Sequence, residues 1–491
     1  MASESLFDGY RVDGFFDEMF SATGQARPEY RRVHSRMETL NRQDLARRHD
    51  LAQRSFRNHG ITFTVYEDDH GVEKLFPFDL VPRIIPSRTW TRLEAGLKQR
   101  VQALNHFLED IYHRRQILRD RAVPADVILS SRGFRRDLVG VHFPRAIHCH
   151  IAGIDLVRDH KGDFHVLEDN LRTPSGVSYM LANRQVLKRV APEMFAGYRV
   201  RPVETYTHQL LQNLRWLAAP TSPDPTVVLL TPGIYNSAFF EHVYLAKQMG
   251  IEVVEGSDLI FDNDFVFMRT TRGLRRVDVI YRRVDDDFID PLFGRADSIL
   301  GSAGLVNAWR AGNVALANAP GNGVADDKAV YALVPKMIRY YLGEDPILPN
   351  VETYLCADES DRRHVLEHLP EMVVKMVGEA GGYGMMIGPA ATRAEHERFR
   401  RRILAQPREF IAQPVVALSV QPAFDGRHLN PRHQDLRPFV LTGETTTVTP
   451  GGLTRVALRR GSLVVNSSQG GGSRDTWVLA AADTPEGEAL A

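Results

Sequence analysis

The chain has 491 residues, 43% of them hydrophobic, and its 61 Lys plus Arg are matched by 61 Asp plus Glu. That length exceeds one ordinary core, so two or three packed units are expected, and the even charge excludes an overall field that would draw the protein to nucleic acid or an anionic membrane. Two cysteines, Cys149 and Cys356, exclude a disulfide framework and a Cys-rich zinc site, and suit a reducing compartment.

The start, MASESLFDGY, has neither a basic n-region nor an apolar h-region, and no later run approaches the roughly 20 apolar residues of a bilayer span. The expected location is therefore cytoplasmic, with no membrane partner. Residues 1–130 read as a helical and mixed segment. Within it Leu93, Leu97, Val101, Leu104, Leu108 and Ile111 recur at helical spacing, which predicts a long amphipathic helix from Thr91 to about Leu118 behind a Thr91–Glu94 capping box. Its apolar stripe is expected to pack in the protein's own core.

In the next segment, 131–217, the run His148-Cys149-His150 invites a metal or thiol reading. Strand alternation turns Cys149 away from both histidines and no carboxylate spacing completes a zinc site, so a core cysteine between half-buried histidines is expected. The stretch GIDLVRDHKGDFHVLEDN that follows has two strand-like runs around Lys161-Gly162, the composition of a two-residue hairpin turn. That turn sets His160 opposite Asp163, Val157 opposite Val166 and Asp155 opposite Glu168. Glu168 and Asn170 then share a face with Asp155, while Asp169 points away. Like charges directly opposite are destabilising. A hard cation such as Mg²⁺, which takes oxygen ligands from one or two carboxylates and leaves positions for phosphate, would resolve the conflict. Asp155, Glu168 and Asn170 are the expected metal ligands.

Residues 218–226, AAPTSPDPT, read as a boundary. Beyond it a Rossmann-like α/β unit (218–320) is expected, with TVVLLTP a buried strand, NSAFFEHVYLAKQMG a helix capped by Asn236 or Ser237 and closed by Gly250, and IEVVEG the next strand. Residues 321–479 read as α+β. A helix runs from Lys328 to Tyr341, and EMVVKMVGEAGGYGMMIG places Lys375 at a strand end before a loop with Gly378, Gly381, Gly382, Tyr383 and Gly384. Backbone N–H groups of such a loop can approach phosphate closely, with lysine as a point charge. The strand EFIAQPVV carries Gln413, Pro414, Val415 and Val416, and Arg437 and Arg455 lie in DLRPFV and GGLTRVAL. The tail 480–491 is expected to be disordered.

Together these pieces resemble the ATP-grasp superfamily, most closely its circularly permuted type 2 branch, related to glutathionylspermidine synthetase, from about Pro28 to Leu479. In D-alanine:D-alanine ligases an acid on one strand is followed by Glu-x-Asn on the next and a Pro-Gly-type loop, similar to Asp155, Glu168, Asn170 and RTPSGVSYM here. Lys375 with GGYG, Lys328 and the hinge strand Gln413 to Val416 look like the nucleotide-binding parts, but they come after the hairpin, as a circular permutation implies. NSAFFEH, GNGVADDKA, DLRPF and NSSQGGGSRDTWVL look like this branch specifically.

The resemblance implies ATP and Mg²⁺ as cofactors. It also implies an ADP-forming ligase that activates a small-molecule or peptide carboxylate as an acyl phosphate and passes it to an amine. Two alternatives are a kinase acting on a hydroxyl and a non-catalytic nucleotide-binding protein. One departure stands out: where the ligases carry arginine two residues before the metal aspartate, this chain has Gly153. The phosphate-stabilising arginine must come from elsewhere, with Arg172, Arg437 and Arg455 the candidates and Arg172 first among them because it continues the Glu168, Asn170 face.

Overall fold

The computed structural model describes residues 5–12, 14–67, 70–219, 222–379, 384–459, 461–462, 465 and 471–481. The boundary residues Pro220 and Thr221, the loop residues Gly381, Gly382 and Tyr383, Gly470 and residues 482–491 of the tail lie outside them.

In chain order, β1 (Thr62–Glu67) and β2 (His70–Leu75) form an antiparallel hairpin. The fully buried β3 (Phe78–Ile85) leads through Pro86 into α1 (Ser87–Tyr112). The helix starts a turn before the expected capping box: Thr91 lies inside it and donates from Oγ1 to the Ser87 carbonyl at 3.0 Å. The reason is Trp90, fully buried, which must belong to the helix to reach the core, while Pro86 blocks any earlier start. At the other end Arg115, in the left-handed region at φ 54°, separates Gln116–Arg119 from α1 and shortens the expected span. The six stripe residues from Leu93 to Ile111 are all buried, each worth roughly 1.5–3 kcal/mol of transfer free energy.

The strands β4 (Ile151–Arg158) and β5 (Phe164–Asn170) come next, then α2 (Val177–Val190). The α/β unit has β6 (Val227–Leu230), α3 (Phe239–Met249), β7 (Glu252–Val254), β8 (Val279–Arg282) and β9 (Ala315–Ala317), with sheet order β9-β8-β6-β7 and every pair parallel. Gly250 closes α3 at φ 68°, as expected, but the cap residue is Ala238, because the Asn236 side chain turns back to accept from the Ala238 N–H at 2.9 Å.

The helix expected from Lys328 to Tyr341 is two pieces, α4 (Lys328–Tyr331) and α5 (Val334–Leu342), with Pro335 in the first turn of the second. An antiparallel sheet follows in the order β10 (Tyr354–Leu355), β13 (Phe410–Pro414), β11 (Met372–Met376), β12 (Met386–Ile387). Finally β14 (Phe439–Thr442) and β15 (Thr446–Val448) return to the hairpin, in the order β15-β14-β4-β5, and β16 (Thr454–Val456) and β17 (Gly472–Val478) extend β3. Strands some 290 positions apart thus pair directly, Phe439 with Gly153. That long-range closure brings the hairpin and the lysine-bearing sheet to one place. No helix among the described residues is long and apolar enough to cross a membrane.

Candidate functional site

Asp155 and Glu168 are direct cross-strand partners, and Gly153 faces Asn170. The route to that register differs from the simple one. Arg158 pairs with Phe164 and Val157 with His165, not Val166, so the turn has three loop residues, His160 to Gly162, with Gly162 at φ 88°. A Cβ there would sit 2.4 Å from the Phe16 ring, so only glycine fits. A bulge at Leu167 then adds one residue to β5 and restores the pairing at Asp155. Asp169 does point away: both its oxygens accept from Arg100 of α1 at 2.6 Å, which anchors the strand.

The electrostatic conflict at Asp155 is met by protein cations. Its fully buried carboxylate accepts from Arg437 Nε at 2.5 Å and Nη2 at 2.8 Å, and from Arg455 Nη2 at 2.7 Å. Burial alone would raise its pKa. The Arg437 and then the Arg455 charges outweigh that and hold it well below the usual carboxylate range. Arg455 is held in turn by Asp435, which accepts from its Nε at 3.0 Å. The glycine at 153 has a positive use here: a Cβ would lie 3.3 Å from Arg437 Cδ and 3.1 Å from Pro174 Cβ. The missing side chain makes room for an arginine delivered from the neighbouring strand.

Glu168, half-buried, lies 4.0 Å from Arg437 Nη2 and 3.6 Å from Lys328 Nζ. Lys328 opens α4 and also donates to the Glu379 carbonyl at 2.6 Å, which ties it to the glycine segment. Lys375 on β11 donates to Gln413 Oε1 at 2.7 Å, and Gln413 donates to Thr353 Oγ1 at 2.9 Å. Burial first, and the charge of Lys328, push the Lys375 pKa down to about 8 against the pull of Glu168 and Asp155. Pro414 ends β13 opposite Met372, the Val415 N–H donates to the Glu371 carbonyl at 3.4 Å, and Val416 packs beside Val157 and Val351. Gly384, at φ 66°, packs on Met376.

A cavity of about 340 Å³ is lined by Glu168, Asn170, Arg172, Lys328, Arg437 and Arg455, together with the 173–176 loop and Gly378-Glu379. Arg172 does not reach Asp155. It donates from Nε to Asp326 at 2.7 Å and stands at the junction with a second cavity of about 190 Å³. No cluster of three His, Cys, Asp or Glu residues able to hold a metal occurs among the described residues. The donor set for a hard cation is Glu168, open to the cavity, and the amide of Asn170, whose buried Nδ2 has no partner among the described residues. Both side chains line the same cavity and carry oxygens, the ligand atoms a hard cation takes, so these two side chains fit Mg²⁺. Asp155, with both oxygens on guanidiniums, stands behind them.

The histidines flanking Cys149 are buried, not half-buried: His148 meets Glu109 at 3.1 Å and His150 the Thr442 carbonyl at 3.0 Å. Burial pushes the Cys149 thiol pKa up and the His150 pKa down to about 4, and it lowers the His148 pKa against the pull of Glu109.

Sequence reasoning passed over the residues that hold the site in place. Glu241, fully buried, accepts from Gly176 N and Ser178 N and Oγ at 2.8–3.0 Å and from Arg283 at 3.0 Å. It thereby caps α2 and fixes the loop that Arg437 touches through the Ser175 carbonyl at 3.2 Å. Asn318 accepts from His150 N and Ile151 N at 2.7 and 2.9 Å and stitches the parallel sheet to β4. A buried acid in NSAFFEH and an acid two positions before Arg437 were the only available signals.

Residues 82–457 match the family described as circularly permuted ATP-grasp type 2. The chain is 55% identical over 471 residues to an uncharacterized protein of Synechocystis sp., covering 96% of this chain and 98% of that one. A putative glutamate–cysteine ligase of Frankia casuarinae is 44% identical over 479 residues, 96% of this chain but 54% of that longer protein. A glutathione synthetase-like effector of Globodera pallida, solved in its apo form, superposes with a TM-score of 0.60 at 12% identity, over 90% of this chain and 98% of that one. This last likeness concerns the fold alone.

Proposed function

This chain belongs to the circularly permuted ATP-grasp type 2 family, and from that premise we propose that it is an ADP-forming carboxylate–amine ligase working through an acyl phosphate. The family and the name of the Frankia relative support an ATP-dependent ligase in general terms. The observation that carries the finer reading is one cavity lined both by Glu168, Asn170 and Arg437 of the hairpin sheet and by Lys328, which meets Glu168 at 3.6 Å.

In this reading ATP is a substrate whose phosphates lie among Lys328, Lys375, the glycine segment around Gly378 to Gly384 and the arginines, with Gln413, Pro414, Val415 and Val416 along the adenine. Glu168 and Asn170, backed by Asp155, would hold Mg²⁺, which when bound supplies charge neutralisation at the phosphate oxygens. An oxygen of the substrate carboxylate attacks the γ-phosphorus and the bond to the β-phosphate oxygen breaks, releasing ADP. The amine then adds to the acyl carbon, inorganic phosphate leaves, and an amide remains. Arg437 and Arg455, immobilised on Asp155 and Asp435, face the transferring group already oriented, so stabilising the developing charge requires little reorganisation. Arg172 sits where the two cavities meet, suited to hold the incoming acceptor or the leaving phosphate. No side-chain nucleophile is required, because the catalysis is positioning and electrostatics.

The test is a screen of carboxylate and amine pairs for ADP release with the fate of phosphate followed. A ligase frees inorganic phosphate and needs both co-substrates, whereas phosphate retained on one product is the kinase result. Glu168→Ala and Asn170→Ala are expected to abolish Mg²⁺-dependent turnover with the fold intact; full activity in both would overturn the assignment.

A further inference from the structure

The cavity that holds the charged groups also has an aromatic wall that the ligase chemistry does not use. Phe63, Phe76 and Tyr179 line it with Leu453. The Phe76 and Tyr179 rings stack at 4.2 Å between centroids with 15° between planes, and Phe63 meets Phe76 edge-on at 5.4 Å. The Tyr179 hydroxyl is spent on the Thr62 carbonyl at 2.8 Å, so this wall offers no free donor, and with Phe63 7%, Tyr179 5% and Phe76 2% exposed it presents a narrow strip of ring surface at the edge of the core. The 173–176 loop joins the two halves: the Ser175 carbonyl accepts from Arg437, and four residues later Tyr179 enters the aromatic group. Gly176 lets Leu453 close over the loop, since a Cβ there would lie 2.8 Å from Leu453 Cδ2.

Building on the ligase reading, we infer that the carboxylate substrate carries an apolar or aromatic body beside its carboxyl group, seated against Phe63, Phe76 and Tyr179. The carboxyl group faces Arg437, Arg455 and Lys328, which match its charge. A second carboxylate or an ammonium seated against this wall, as in glutamate, would lose its hydration there, the other charges of the cavity being carried by different residues, among them Arg172, Glu168 and Glu379. A ring or branched alkyl group of matching size displaces water from ring surface and gains edge or face contacts. Discrimination between acids that fill or fail to fill such a wall runs at ~10–200-fold in kcat/KM.

The experiment uses hydroxylamine as a generic amine, so that any acyl phosphate is captured as a hydroxamate with release of ADP and inorganic phosphate. The acids are 3-phenylpropionate, isovalerate, glutamate and aspartate. The expected result is that the two apolar acids exceed the two dicarboxylates by ~10-fold or more in kcat/KM. Phe76→Leu, which keeps the wall apolar but removes the stacked ring, is expected to shift preference from 3-phenylpropionate toward isovalerate by ~10-fold with the KM for ATP unchanged. A calorimetric titration of 3-phenylpropionate into protein saturated with a non-hydrolysable ATP analogue is expected to show saturable binding, weakened in Phe76→Leu. Preference for glutamate or aspartate, or an unaltered preference in Phe76→Leu, overturns the inference while leaving the ligase reading standing. If the analogue binds but neither apolar acid binds or yields hydroxamate, this inference falls, and the ligase reading is decided separately by the wider screen of pairs.

Discussion

Two carboxylates in this protein are each gripped by two arginines in the interior, and they stand in different surroundings. Glu18 accepts from Arg83, from Arg158 at 2.7 Å and from Ser419 at 2.8 Å. Burial would raise its pKa, but Arg83 and Arg158 hold it at about 2. Asp155 is gripped as firmly by Arg437 and Arg455. Arg83 Nε is itself left without a partner there among the described residues, but neither Glu18 nor Arg83 lines either of the two cavities described above. Beside Asp155 stand Glu168, open to a cavity, an amide with an unpartnered nitrogen, and Lys328. A buried ion cluster is therefore no sign of function by itself, because structural networks shift pKa values too. The distinguishing mark is that charged groups, Glu168 and Lys328, line a space large enough for a ligand.

Breaking each cluster is the sharpest way to separate them. Glu18→Ala leaves Arg83 buried without its carboxylate, and a loss of ~3–5 kcal/mol of stability is expected, read as a lowered melting or denaturant midpoint with little change in kcat of the folded protein. Arg437→Ala is expected to lower turnover ~100–1000-fold with a smaller shift of the midpoint, because Asp155 keeps Arg455. The opposite pattern would erase the distinction. A milder probe is Gly153→Ala, whose new methyl presses on Arg437 and Pro174. It is expected to cost ~1–3 kcal/mol through overpacking and to lower activity while sparing ATP affinity.

The smallest effect is in pH dependence. Lys375 has its folded-state pKa lowered from the ordinary 10.5 to about 8. Its positive charge is therefore present below about pH 8 and lost above it, and ATP affinity is expected to fall by up to ~10-fold per pH unit beyond that point. Fold stability moves the other way for this group: between about 8 and 10.5 the unfolded chain binds more protons, so the stability contribution rises with pH. Lys375→Arg should flatten the affinity profile, checked by equilibrium titration with ATP from pH 7 to 9.5.

How far these features could be read from sequence depends on distance along the chain. The Asp155–Glu168 pairing was legible because alternation and a turn are local rules, although a longer turn and a bulge cancelled to give it. The early start of α1 was missed because the burial of Trp90 is a tertiary fact that outweighs a plausible cap. The grip of Arg437 on Asp155 spans 282 positions, and its one local trace was the glycine at 153, visible as a departure from the family pattern but without a stated cause. Asp435, which fixes Arg455, left no periodic signal at all. Side chains that meet through sheet pairing across a permuted chain order cannot be recovered from spacing alone.

The central claim is tested most directly by supplying a turned-over carboxylate labelled with ¹⁸O in both oxygens, together with ATP, Mg²⁺ and an amine, and measuring the label in released phosphate. An acyl phosphate intermediate predicts one ¹⁸O atom in each inorganic phosphate formed, because the attacking carboxylate oxygen leaves with the phosphoryl group. Unlabelled phosphate, or label found in a nucleotide, would contradict it.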